Sequence, residues 1–202
     1  IKNKKNKIFI KSLVKMLTFT QFVGSKNSTI LEPTDDTSQH IEMTTDSSLM
    51  DVTINYNNNL DNLDFRLIEV DSDHLKASVP SAQQIFNNTI LIRDIDIDLK
   101  NINSVKVINV TKGLLNFENC VVNVRQDEYN SAQDSDIYVF YLNGNTKLDI
   151  IGSRFNVTSN HQDVYSVYSD TAKVTVLNSF FENRENINEN VVGSSTNFLF
   201  KV

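Results

Sequence analysis

Three carboxylates, Asp94, Asp96 and Asp98, alternate with Ile95, Ile97 and Leu99. In a strand, alternate residues share a face, so the three would stand about 7 Å apart along one side. Carboxylates so placed can hold a hard cation such as calcium or divide acid and base roles. The same pattern also describes a solvated strand face backed by buried isoleucines. The reading taken is the second: no catalytic residue, no resident metal and no cofactor, with Asp94, Asp96 and Asp98 the candidates if a metal does bind. His40, His74 and His161 fall in separate polar stretches, without zinc-ligand spacing. Cys120 is the single cysteine, which rules out a disulfide within the chain, and it reads as a small core residue. Tyr138 and Tyr141, and likewise Tyr165 and Tyr168, lie three apart. Strict alternation puts the members of each pair on opposite faces, which leaves one of each either as a small outer aromatic surface suited to sugar or protein contact or, the reading preferred, packed at an edge under a loop. The sequence has no glycine-rich phosphate cradle and no nucleophile elbow.

The elements that would carry these residues come from a repeat. Leu115–Val122, Leu148–Phe155 and Val174–Phe181 align with apolar or small residues at offsets zero, two, five and seven. Anchors at Leu17, Ile41, Leu63, Ile90, Leu115, Leu148, Val174 and Phe198 follow at steps of 24, 22, 27, 25, 33, 26 and 24. Zero and two share one face of a strand; five and seven share one face of a second. The step of three between them needs a bend, for which Asn119, Gly152 and Asn178 supply left-handed conformations. Upstream apolar pieces at Val105–Val110, Ile137–Leu142, Val164–Tyr168 and Val191–Val192 add a third strand. The spacing therefore predicts an all-β, right-handed parallel β-helix of about seven to eight rungs of roughly 25 residues. Leu115, Phe117, Leu148, Ile150, Val174, Val176 and Phe181 are expected inside, and Asn116, Asp149 and Thr175 outside. The 33-residue step places a long polar loop at Arg125–Asp136, a candidate contact surface through Arg125, Tyr129 and Asp134.

Charge is uneven. Lys2, Lys4, Lys5, Lys7, Lys11 and Lys15 crowd the start, and without them 13 bases face 25 acids, a net of −12. An acidic body argues against a nucleic-acid partner. No apolar run is long enough for a transmembrane helix. Residues 1–25 form a basic N-terminal segment with three open readings: a first rung, an amphipathic cap helix over residues 8–20, or an uncleaved targeting segment. Residues 26–202 form the coil. Residue 1 is Ile rather than Met, as in a piece of a longer chain. Sequons at Asn27, Asn87, Asn109 and Asn156 are candidate glycosylation sites and suit an extracellular or surface location.

The repeat resembles the right-handed parallel β-helix superfamily, the pectin-lyase-like fold. Within it, Asn178-Ser179-Phe180-Phe181-Glu182-Asn183 resembles the repeats of bacterial polymorphic outer-membrane proteins and related surface proteins. The resemblance implies a structural or adhesive rod, a fibre or spike component. It also implies two alternatives: a carbohydrate-active enzyme using Asp94, Asp96 and Asp98, with Arg93 or Arg154 as a lyase base, or a scaffold subunit within a larger complex. The partners expected are other chains stacked end to end or the continuation of this one, through Phe198 and Phe200, with glycans as a further class.

Overall fold

The computed structural model describes residues 6–10, 14–16, 20–25, 28–33, 39–44, 46–60, 65–71, 89–102, 105–125, 136–144, 146–159, 163–169, 171–185 and 197–201. Its strands follow a strict three-part cycle. The first sheet holds β1 (Asn6–Ile10), β4 (Thr29–Pro33), β7 (Thr53–Leu60), β10 (Asp96–Ile102), β13 (Val121–Arg125), β16 (Arg154–Ser159) and β19 (Phe180–Glu185). The second holds β2 (Val14–Met16), β5 (Gln39–Met43), β8 (Phe65–Val70), β11 (Val105–Val110), β14 (Ile137–Leu142), β17 (Val164–Ser169) and β20 (Asn197–Lys201). The third holds β3 (Gln21–Val23), β6 (Ser48–Met50), β9 (Thr89–Arg93), β12 (Leu114–Glu118), β15 (Lys147–Ile151) and β18 (Lys173–Leu177). Each strand pairs in parallel with the strand three places on, so the chain is an all-β parallel β-helix.

The coil exists because one rung cannot bury its inward side chains alone. Stacked about 4.8 Å from its neighbours, it gains main-chain hydrogen bonds above and below and closes a common core. Leu115, Phe117, Leu148 and Ile150 are fully buried. Phe117, Phe155 and Phe181 stack through the interior at centroid distances of 5.7 and 4.5 Å, and Phe140 meets Phe155 edge-on at 5.4 Å. Such pairs add about 0.5–1.5 kcal/mol each beyond area burial. Val174, Val176 and Phe181 are only half-buried, against expectation. Among the described strands, β18 and β19 have a neighbour on one side only, so their inward side chains are packed from one direction. Thr175 is exposed; Asn116 and Asp149 are half-covered by neighbours in their column.

The bend between the third and first sheets is a column of left-handed residues: Asp51, Asp94, Asn119, Gly152 and Asn178, with φ of 56, 55, 54, 60 and 49°. Each of the first four donates its N–H to the next rung, as Asn119 does to Ile151 at 2.9 Å and Gly152 to Leu177 at 2.9 Å. After Asn119 and Gly152 the N–H that follows the bend is met by a side chain of the next rung. Ser153 Oγ accepts from Cys120 N–H at 3.1 Å, and Ser179 Oγ accepts from Ser153 N–H at 3.1 Å. Offset five is small and polar in these rungs because that side chain completes the corner.

Four sequence anchors stand in the expected register: Ile90, Leu115, Leu148 and Val174. Ile41 and Phe198 instead belong to the second sheet, as does the strand Phe65–Val70 that follows the anchor Leu63 and carries Phe65, Ile68 and Val70 at offsets two, five and seven from it. The matching rung there is Leu49, Val52 and Ile54, through Leu49 opposite Ile92 and Ile54 opposite Ile97. Alternation fixes an inward face but not which sheet a strand joins. The true steps, from Phe22 through Leu49, Ile92, Phe117 and Ile150 to Val176, are 27, 43, 25, 33 and 26 residues. The longest departure therefore contains residues 72–88, not Arg125–Asp136; both 72–88 and 126–135 lie outside the described residues. Val191–Val192 also lies outside them, and β20 supplies the strand expected there. At the N-terminus, residues 6–10, 14–16 and 21–23 are strands, so the cap-helix reading gives way to rungs. No helix among the described residues is long and apolar enough to cross a membrane, which says nothing of membrane β-barrels.

Candidate functional site on the outer face of the second sheet

Strands of the second sheet bury two consecutive residues at mid-strand: Leu67 and Ile68, Val107 and Ile108, Val139 and Phe140. Two inward residues in a row reset the alternation. Positions three apart on either side of the pair then share the outer face. Each rung thus presents an outward couple: Arg66 with Glu69, Lys106 with Asn109, Tyr138 with Tyr141, and Tyr165 with Tyr168.

This corrects the placement of the tyrosines on opposite faces. All four form one cluster. Tyr138 stacks on Tyr165 at 4.9 Å and 9°, and Tyr141 stacks on Tyr168 at 5.0 Å and 12°. Edge contacts at 5.1 Å (Tyr138–Tyr141), 5.4 Å (Tyr138–Tyr168) and 5.6 Å (Tyr165–Tyr168) tie the columns together. Lys106 Nζ lies 4.7 Å over the Tyr141 ring. Tyr138 Oη donates to Asp136 Oδ2 at 2.7 Å, and Tyr165 Oη to Asp163 Oδ2 at 3.5 Å. The Tyr138 phenol is held well above its usual range, first by burial and then by the Asp136 hydrogen bond and charge. Tyr165 is raised first by burial and then by the charges of Asp136 and Asp163. Because the rings stack on one another, the cluster offers the surface more edge and hydroxyl than open face. The signals for it were the adjacent apolar pairs and the repeated Asp136-Ile137-Tyr138 and Asp163-Val164-Tyr165.

Below the tyrosines the same two columns are ionic. Glu42 and Glu69 are register partners, each 7 % exposed. Lys15 meets Glu42 at 2.9 Å, and Arg66 meets Glu69 at 3.2 Å. Asn109 Nδ2 donates to both Glu69 oxygens at 2.9 and 2.8 Å. Asn109 is thus buried with its amide committed to Glu69. Asn156 is half-buried on the first sheet and donates to Asn123 Oδ1 at 2.7 Å; Asn27 and Asn87 lie outside the described residues.

The acidic triplet is not one ladder. Asp94 occupies the left-handed bend and pairs with Arg93 at 3.4 Å, while Asp96 and Asp98 lie on β10, with Asp98 3.5 Å from Lys100. Asp94 therefore precedes the strand face that Asp96 and Asp98 share, while all three are partly exposed and Ile95, Ile97 and Leu99 between and beyond them are buried, as expected. Among the described residues, no group of three or more His, Cys, Asp and Glu is arranged to hold a metal ion. His40 lies within β5, fully buried 5.5 Å from the Tyr56 ring, rather than in a polar loop; His74 and His161 are outside the described residues. Cys120 is buried, with its thiol 3.0 Å from the Glu118 carbonyl. Arg125 ends β13, exposed. Phe198 and Phe200 pair with Tyr165 and Val167 through β20, and Tyr129 and Asp134 lie outside the described residues. No family model, curated protein or solved structure matches the chain.

Proposed function

We propose that the chain is a structural or adhesive rod, a surface fibre or spike component of the pectin-lyase-like architecture. The observation that carries this reading is the stacking of the described strands in three parallel sheets, which sets outward side chains in columns along the coil. The acids that an enzyme of this architecture would need are divided between a bend and a strand, and Asp98 is paired with Lys100. A rung that stacks through main-chain hydrogen bonds can receive another chain in the same way. Copies joined end to end, or further rungs of the same chain, are therefore the natural partners, with glycans along the sides. The test is to incubate the purified chain with acidic and neutral polysaccharides, measuring retention and new chain ends together, and to label the producing cells or particles with an antibody. Retention without cleavage, and label on the outer surface, are expected. Release of sugar ends, or label confined to the interior, would overturn the proposal.

A further inference from the structure

The tyrosine cluster has a chemistry that an adhesive role does not use. Parallel register sets Tyr138 directly opposite Tyr165, and the ring planes lie 9° from parallel at 4.9 Å. Two phenols in this offset stack need only side-chain tilt to bring ring carbons together. Asp136 Oδ2 already holds the Tyr138 hydroxyl at 2.7 Å and is a ready acceptor for its proton. The second stack, Tyr141 on Tyr168, is similar in geometry but has the Lys106 ammonium 4.7 Å from the Tyr141 ring centroid. A cation at the ring face opposes removal of an electron from that ring. The edge contacts among the rings give a route by which a hole formed on half-buried Tyr168 reaches Tyr138 and the buried Tyr165.

We propose that Tyr138 and Tyr165 are an oxidative cross-linking site, at which a one-electron oxidant of the kind generated from peroxide by a haem enzyme joins two neighbouring rungs as dityrosine. Each phenol gives one electron to the oxidant and loses its hydroxyl proton, that of Tyr138 to Asp136. The two radicals couple between the ring carbons ortho to oxygen. The hydrogens on those carbons then move to the oxygens, restoring two phenols. Two hydrogen atoms leave in all, as two protons and two electrons, and two equivalents of oxidant are reduced. The product is a covalent staple between β14 and β17.

The test uses the full chain, dilute enough to be monomeric, with photogenerated tris(bipyridyl)ruthenium(III) as the oxidant. Cross-linked peptides are sequenced by fragmentation. The expected result is a monomer two hydrogens lighter whose main cross-link is Tyr138–Tyr165. Tyr138→Phe and Tyr165→Phe, which keep the stack, should each abolish that peptide. Asp136→Asn should lower its yield several-fold and leave any Tyr141–Tyr168 product unchanged. The same chain unfolded in urea should lose the selectivity, a comparison that needs no variant. The proposal is overturned if the Tyr138–Tyr165 peptide is no more abundant in the folded than in the unfolded chain. It is also overturned if Tyr141–Tyr168 dominates, or if cross-links form only between molecules.

Discussion

Replacing Ser153 by Ala removes one oxygen with two hydrogen bonds, and the structure separates their costs. As donor, Ser153 Oγ reaches the Ile151 carbonyl at 3.0 Å, but that carbonyl also accepts Asn119 N–H at 2.9 Å and stays satisfied. As acceptor, Oγ takes the N–H of Cys120 at 3.1 Å, at a bend where Cys120 is 1 % and Ser153 is 3 % exposed. Ser153→Ala therefore strands one buried donor, at about 1–3 kcal/mol. With a urea slope of about 2 kcal/mol/M, a loss of about 2 kcal/mol lowers the unfolding midpoint by about 1 M. Ser179→Ala deletes the equivalent oxygen one rung on, but Ser179 is half-buried and water can replace it, so the loss should be smaller. Ser153→Cys should fall between parent and Ala, since Cys120 shows that a thiol fits this column and sulfur accepts weakly. Urea titrations followed by far-ultraviolet circular dichroism read all three. If Ser153→Ala lies within about 0.5 kcal/mol of the parent, or Ser179→Ala costs more, the hydroxyl does not complete the corner and the account of offset five is wrong.

Gly152→Ala should destabilise by about 1–2 kcal/mol from the left-handed backbone alone, and further because its Cβ would stand 2.7 Å from Asn119 Oδ1; φ there is +60°. Thermal melting measures it, and Gly152→Asn should cost less, since Asn119 and Asn178 hold the same conformation. Phe155→Ala should cost about 3–5 kcal/mol, because its ring contacts Phe117, Phe140 and Phe181; a midpoint near the parent's would refute the stacked interior. The Tyr138 phenol is raised above 10.0 in the fold, so its contribution is complete below that pH. Above it the unfolded phenol ionises first and stability falls as pH rises, which denaturant titrations at increasing alkaline pH should show for the parent more steeply than for Tyr138→Phe. Lys106→Met should remove the charge over Tyr141 and raise the Tyr141–Tyr168 share of dityrosine, read from the same fragmentation spectra; an unchanged share would mean that the ammonium does not select the pair.

The coil was legible where rungs are regular. Leu115–Val122 and Leu148–Phe155 carry apolar residues at matching offsets and a left-handed residue between, and both fell into register. It was illegible where pattern had to stand in for pairing. Leu63, Phe65, Ile68 and Val70 fit the same offsets, yet β8 pairs with β11 in the second sheet. Period-two alternation looks alike in all three sheets, and only hydrogen bonding between rungs distinguishes them. Asp94 misled for a related reason. Asp tolerates positive φ almost as Asn does, so a residue read as one step of an alternating face is in fact the bend before the face begins. The tyrosines failed through one assumption, that a strand keeps its parity, when Val139 and Phe140 both turn inward.

That reset has a consequence for the whole outer face of the second sheet. With two outward positions per rung, register stacks them into two columns, and each residue meets its own counterpart above and below. Like charges one rung apart repel, yet Glu42 and Glu69 are register partners. They are tolerated because each carries its own cation, Lys15 and Arg66, and because the Asn109 amide holds Glu69 from the next rung. Asn109 ends the ionic run as a neutral donor, and Lys106 beside it turns its charge to the Tyr141 ring. In the next two rungs, β14 and β17, both columns are aromatic, where stacking at the same spacing is favourable rather than repulsive; in β20 the register sets Phe198 opposite Tyr165 and Lys201 opposite Tyr168. A parallel coil multiplies whatever a column repeats: charge must be neutralised at each rung, whereas aromatic rings gain with every copy added.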